Sequence, residues 1–320
     1  IQKGNEMVNP ISVISPTRLD VFTKLDFARG VVTGEGLSWG QSLYREYMKS
    51  TAPTNKFGED GIKFSISDYE NSFVSLIESL KDKGFRPEFG TVPVGKLGIT
   101  NGAHRLASAL ALDLDISTDN SNENDHIYDL RFLRRIGMHP DSINFISWRY
   151  LQHSLKQRAF LLTAISAEET QDMIKEIGRN FSITGLSKVK LSEIGKRRLM
   201  GLAYDHNSWW LPQYSESMVA ERFHQGIDDC TLVLFDSDVV DLTDFKAGLR
   251  ALLNGKQFER QIHGTDGYSD TIALAEVLLN RNGINFMNNS PIGSQNRLMR
   301  NLGRRKYKDS RTEEIKDCID

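Results

Sequence analysis

The segment TVPVGKLGITNGAHRLASALAL (Thr91 to Leu112) constrains the fold more than any other part of this chain. Val92, Val94, Leu97 and Ile99 read as strand residues, Thr-Asn-Gly breaks the run, and a Leu/Ala-rich helix is predicted from about Ala103 to Leu112. A strand that turns at once into a helix commits the region to an α/β arrangement. The start of such a helix offers unsatisfied backbone N–H donors and a partial positive charge, which together favour an anion. Gly102 lets a phosphate approach the backbone closely, Arg105 can grip it with two bonds, and His104 can donate a hydrogen bond or shuttle a proton. A plainer reading of the same residues makes Asn101 the helix cap, gives Gly102 a positive φ, and leaves His104 and Arg105 on a solvated face.

The flanking sequence supplies helices for that strand to pack against. A helix is predicted after Ser15-Pro16, with Leu19, Phe22, Leu25 and Phe27 on its apolar face and its end near Gly30. A shorter one covers Gly40 to Met48, and Pro53 to Gly61 reads as loop. In SDYENSFVSLIESLKDKGF, Ser67 and Glu70 have capping-box spacing, Phe73, Leu76, Ile77 and Leu80 form a buried stripe, and Gly84 ends the helix. Ser117 to Asp125 contains no apolar residue and is predicted to be an exposed loop. Beyond it, Tyr128 to Gly185 reads mainly helical, with a capped amphipathic helix in SAEETQDMIKEIGRN ended near Gly178. CTLVLF is a buried strand, and DLTDFKAGLRALLNGK is a helix carrying Phe245, Leu249, Leu252 and Leu253 on one side. The run RQIHGTDGYSDTIALAEVLLNRNGINFMN then gives a strand end, a helix and a short extended piece.

Strand, (N/D)GxHR, then helix with LAxAL resembles the signature turn of the ParB/sulfiredoxin-like superfamily, over Val92 to Leu112. The resemblance implies a small mixed sheet and a turn that receives nucleotide phosphates, with Gly102, His104 and Arg105 as the contacts. More loosely, PTRLDVFTKLDFAR, NGAHRLA and the late IHGTDGYSDTIALAEVLLNRNGINFMN resemble uncharacterised proteins of bacterial surface-polysaccharide gene clusters. Two departures narrow the implied activity. Sulfiredoxins need a cysteine immediately before the His-Arg pair, and Ala103 stands there. The partition CTPases carry a Gly-Glu-Arg-Arg type turn and a following helix-turn-helix. Here His104 replaces the first Arg, and no convincing helix-turn-helix follows. The kinase branch of the superfamily needs phosphate cradling plus a carboxylate to take the acceptor's proton, and that branch survives.

Other residues are candidates for the remaining roles. Glu59, beside Asp60 in the loop NKFGEDGIK, is a candidate base; the bland alternative is a solvated loop acid. Asp20 and Lys24 lie one turn apart, so Lys24 either meets a phosphate or pairs with Asp20. His263 and Asp266, at a predicted strand-to-helix turn with Thr265 and Asp270, suit a base with its orienter or two metal ligands. The alternative makes Thr265 or Asp266 the helix cap. Lys246 and Arg250, one turn apart, either face that pocket or form a solvated stripe. Trp209-Trp210, with Tyr204 and His206, suits stacking on a sugar or base, or core packing.

The formal net charge of -2 argues against sequence-independent nucleic-acid binding. Cys230 and Cys318 make no disulfide framework, which suits a reduced, cytoplasmic setting. No apolar run approaches the roughly 20 residues of a spanning helix. The chain opens at Ile1 without a signal pattern, which reads as a processed or excised piece. The expected fold is α/β (α+β) and helix-rich. It has a ParB/sulfiredoxin-like unit over 1–116, a polar loop over 117–127, a second α/β or α-rich unit over 128–289, and a basic linker or tail over 290–320. The expected function is a nucleotide-dependent phosphotransferase using ATP or another nucleoside triphosphate with Mg2+. Its substrate would be a small hydroxyl compound such as a sugar of surface-polysaccharide biosynthesis. His263, Asp266 and Glu59 would be catalytic, and Asn101, Gly102, His104, Arg105 and Lys24 would bind phosphate. The alternatives are a ParB-like, DNA-associated regulator using its Arg/Lys tail, and a scaffold of polysaccharide assembly.

Overall fold

The computed structural model describes residues 6–51, 63, 65–121, 125–163, 165–204, 215–223, 229–239, 241–253 and 260–289. Glu59, Asp60, His206, Trp209, Trp210 and the basic tail lie outside these residues. The fold is helix-rich α+β, with two four-stranded sheets in two compact units, Ile1–His153 and Ser154–Asp320.

In the first unit the strands are β1 (Glu6–Val8), β2 (Val92–Gly95), β3 (Gly98–Ile99) and β4 (Ile116–Asn120), in the order β1-β4-β2-β3. The sheet is mixed, since β4 pairs antiparallel with β1 and parallel with β2, while β2 and β3 form an antiparallel hairpin. Its helices are α1 (Phe22–Thr33), α2 (Leu37–Thr51), α3 (Ile66–Lys83), α4 (Ala103–Leu112), α5 (Leu130–Arg135) and α6 (Pro140–Leu151). Helix α4 has the predicted bounds. Its Leu106 joins Leu19, Phe22, Leu25, Leu43, Phe73 and Ile77 in a core almost sealed from solvent. Phe27, Tyr44 and Phe73 pack ring to ring inside it, with centroids 5.3 to 5.6 Å apart.

Several expectations are corrected here. The predicted polar loop over 117–127 begins as β4, a strand paired on both sides. Backbone hydrogen bonds hold it, and only Ile116 and Ser117 are buried, so apolar alternation could not reveal it. The unit therefore runs on to His153. Leu19 N–H donates to the Tyr128 carbonyl and Tyr128 N–H to the Thr17 carbonyl, and Arg149 of α6 grips Asp26 of α1 through two bonds of 2.5 and 3.0 Å. The first helix starts at Phe22 rather than after Pro16, because Leu19–Val21 forms a 3-10 turn. The capping box of α3 is Ser65 with Asp68, which leaves Glu70 buried against Arg45.

The second sheet comprises β5 (Gln157–Thr163), β6 (Ser182–Lys190), β7 (Asp229–Asp236) and β8 (Ile262–Gly264). It runs β6-β7-β5-β8, with every neighbouring pair antiparallel. Helices α7 (Ala167–Asn180), α8 (Glu193–Tyr204), α9 (Ser215–Arg222), α10 (Thr243–Ala251), α11 (Tyr268–Leu278) and α12 (Arg281–Asn289) accompany it. Phe160, Leu162, Val233 and Phe235 pack on Met173 and Ile177 of α7 and Leu249 of α10. Helix α11 lies against β5 and β7, whose Leu161, Leu232 and Leu234 are also fully buried. Burial on both faces explains why CTLVLF reads as an unbroken apolar run. Strand β5 lies in a stretch read as mainly helical, and α12 replaces the predicted extended piece. Helix α7 passes through Gly178 to Asn180, and Leu252 is exposed rather than on the buried side of α10.

Candidate functional site

The turn before α4 is built from the backbone. Gly102 is the cap residue at φ +86°, the left-handed conformation that disfavours a side chain. Its N–H donates to Asn101 Oδ1 at 2.6 Å, so Asn101 braces the turn and does not cap the helix. The first bond of the helix runs from Leu106 N–H to the Gly102 carbonyl at 2.9 Å. Among the described residues, the N–H groups of Ala103, His104 and Arg105 have no hydrogen-bond acceptor. Three donors in one turn at the positive end of a ten-residue helix are groups able to bond an anion.

Arg105 folds back over this turn. Its Nη1 donates to the Thr91 carbonyl at 2.5 Å, and its Nε lies 3.7 Å from where a Cβ on Gly102 would stand. Gly90 makes the pose possible, because a Cβ there would sit 2.5 Å from Nη1 and φ is +111°. Burial lowers the Arg105 pKa from its ordinary value, and the charge of Asp119 on β4 opposes that shift. The half-buried guanidinium keeps N–H groups beyond the one spent on Thr91.

His104 has a different role from Arg105. Its Nε2 bonds the Tyr44 hydroxyl at 3.0 Å, and its ring stands edge-on to Phe73 with centroids 4.7 Å apart. One edge of the residue reaches solvent, but the ring is sunk deep enough for burial to push its pKa down to about 3. The charge of Lys24 adds to that shift and Asp20 opposes it. At neutral pH the imidazole is uncharged, a hydrogen-bonding partner and not a cation for phosphate.

Lys24, expected at a phosphate, is held elsewhere. Its ammonium is buried and donates to the Asp20 carbonyl at 2.9 Å and carboxylate at 3.1 Å, under the ring of Tyr47. Arg18 completes the cluster, with Nε 2.8 Å and Nη2 3.1 Å from the same carboxylate. Burial pushes the Asp20 carboxyl up, yet Lys24 and Arg18 outweigh it and hold the pKa down to about 2. Arg18 also donates to the Ile99 carbonyl at 2.5 Å, and the Ser15 and Thr17 hydroxyls reach the Leu97 carbonyl at 2.6 and 2.7 Å. The segment Ser15–Asp20 thus clamps the hairpin leading into the anion turn. Sequence reasoning missed Arg18, Tyr44 and Gly90; a basic residue two before Asp20 in PTRLD was the available signal.

The second predicted constellation takes another form. His263 lies on β8, opposite Leu161, with its ring edge-on to Tyr204 at 4.7 Å. Asp266 is exposed, and α11 begins at Tyr268 with Gly267 as its cap. Neither Thr265 nor Asp266 caps that helix. The buried Thr265 hydroxyl accepts from Ala159 N–H at 2.9 Å and meets Thr271 Oγ1 at 2.8 Å, pinning the turn to β5 and α11. His263 and Asp266 belong to the second unit and the anion turn to the first. Among the described residues no group of three or more His, Cys, Asp or Glu side chains is placed to hold a metal ion. No helix among them is long and apolar enough to cross a membrane.

No protein-family model, curated protein or solved structure matches this chain.

Proposed function

We propose that the first unit binds the phosphates of a nucleotide at the Gly102–Arg105 turn, and that the protein is a phosphotransferase acting on a small hydroxyl compound. The observation that carries the reading is the set of three unaccepted N–H groups at Ala103, His104 and Arg105, with the Arg105 guanidinium folded over them. Gly102 keeps the approach open, and Asn101 holds the turn in shape. A bound nucleoside triphosphate supplies the transferable phosphoryl group. Arg105 stabilises negative charge, while neutral His104, braced by Tyr44, sets the position of the first helical turn. Asp119 is a described carboxylate whose charge bears on Arg105, and Glu59, the candidate base, lies outside the described residues. The resemblance to the ParB/sulfiredoxin-like superfamily supports the nucleotide. Ala103, in the place of the sulfiredoxin cysteine, turns the reading from sulfur repair to phosphoryl transfer to a hydroxyl.

Isothermal titration of the full chain with ATP and with CTP, each with and without Mg2+, tests the proposal. Saturable binding is expected for one of them, weakened at least about tenfold by Arg105→Ala, because a charge-assisted bond is lost. Absence of binding by either nucleotide, or an Arg105→Ala variant that binds as well as wild type, overturns it.

A further inference from the structure

The second unit gathers cations of a different kind along β8. Arg222, at the end of α9, is buried and donates to the Arg260 carbonyl just before the strand. Arg250 of α10 donates to the Ile262 carbonyl at 3.2 Å. The side chain of Lys246, one helical turn earlier, runs past Gly264, where a Cβ would lie 3.5 Å from its Cδ. The three cations thus lie along β8 and the turn that enters it. The Arg222 guanidinium rests on the Tyr204 ring at 5.0 Å, and Tyr204 meets His263 at 4.7 Å. Arg222, Arg250 and Lys246 therefore surround the Tyr204–His263 pair.

Arg222 is buried and Arg250 and Lys246 are half-buried, and they lack what cations withdrawn from water require. Among the described residues, neither arginine nor Lys246 forms an ion pair with a carboxylate, and the buried Nε atoms of Arg222 and Arg250 have no hydrogen-bond partner. Glu221 is spent on Arg260, and Asp266 and Asp241, the acids whose charges bear on Lys246, are both exposed. Burial lowers the pKa of Lys246, and the neighbouring charge of Arg250 lowers it further. Withdrawing like charges from water without a carboxylate in contact is costly, and neutral donors would satisfy the same carbonyls more cheaply. Two guanidinium forks and an ammonium are the groups that recognise a phosphate, the forks by paired bonds and the ammonium as a point charge.

We infer that Arg222, Arg250 and Lys246 form a second anion site, around β8 and the Tyr204–His263 pair, which takes the phosphate group of a phosphorylated small molecule. The site is independent of the α4 turn, so the test uses a chain in which that turn is disabled. Arg105→Ala protein is titrated calorimetrically with pyrophosphate at fixed ionic strength, then again with Lys246→Gln added. Saturable binding is expected in the first and at least about tenfold weaker binding in the second, as loss of a charge-assisted contact implies. Among the described residues the Lys246 side chain makes no hydrogen bond, so its replacement leaves the fold intact, which a thermal melt by circular dichroism checks. Arg250→Gln should weaken binding in the same direction while keeping a donor for Ile262. Absence of pyrophosphate binding in the Arg105→Ala chain, or equal binding with Lys246→Gln, overturns the site. If that chain fails to bind while wild type binds ATP, the second site falls and the reading of the α4 turn stands. The reverse result removes the turn and keeps this site.

Discussion

Each unit gathers a cluster of three charged side chains beside a sheet, and the two clusters are balanced in opposite ways. In the first, Arg18 and Lys24 share the Asp20 carboxylate, and all three are sealed from solvent. In the second, Arg222, Arg250 and Lys246 have no such carboxylate among the described residues. An internally balanced cluster acts as a clamp, and this one holds the hairpin that leads to the α4 turn. A cluster left unbalanced stores a demand for an anion from outside. The contrast shows what decides between the two expectations for Lys24, a phosphate or Asp20: whether a carboxylate already sits within reach.

The comparison breaks most readily at Asp20. Replacing it with Asn leaves two buried cations uncompensated, and denaturant unfolding should show a loss of about 3–5 kcal/mol. A small effect would mean that the first cluster is no better balanced than the second.

A second test is the pH dependence of stability. The unfolded state takes a proton on His104 near 6.5, while the folded state resists it until about 3. Stability should therefore be full above 6.5 and fall as pH drops towards 3, by at most about 1.4 kcal/mol per pH unit from this group. Asp20, held at about 2 against an ordinary 3.8, adds a further loss between those values as its carboxylate is protonated. Urea melts across pH should show both phases, and His104→Gln should flatten the first alone.

A smaller effect is expected at Gly90. Alanine there meets a positive φ and the Arg105 guanidinium, costing about 1–2 kcal/mol and weakening nucleotide binding through a displaced Arg105. Unchanged binding would detach Arg105 from the anion turn. The smallest effect belongs to Lys246→Gln without ligand. It should shift stability by less than about 1 kcal/mol, towards greater stability, because a like charge leaves the cluster. A large loss would show that the second cluster, too, is a clamp.

The α4 helix was readable to the residue because its signals are local: strand residues, a glycine break and a Leu/Ala face within one short segment. The α3 capping box was found two residues late, since Ser65 with Asp68 and Ser67 with Glu70 carry the same kind of pattern. Only burial against Arg45 shows that Glu70 faces inward. Strand β4 was missed because its stability lies in backbone pairing with two partners remote in sequence. The Thr265 hydroxyl was misread as a cap because its partners, Ala159 and Thr271, come from β5 and α11.

From the order of its residues alone, the chain reveals its helix-rich α+β class, the strand-turn-helix around Asn101 and Gly102, and the basic side chain that follows. These depend on short-range periodicity and on the conformational freedom of one glycine. The charge states and partners of those side chains came from long-range packing. Tyr44 and Phe73 close around His104 and keep it neutral, Asp20 claims Lys24, and β8 draws Arg222, Arg250 and Lys246 together. A group's chemistry depends on the dielectric and the charges within a few ångströms of it, and those neighbours are brought there by folding from distant parts of the chain.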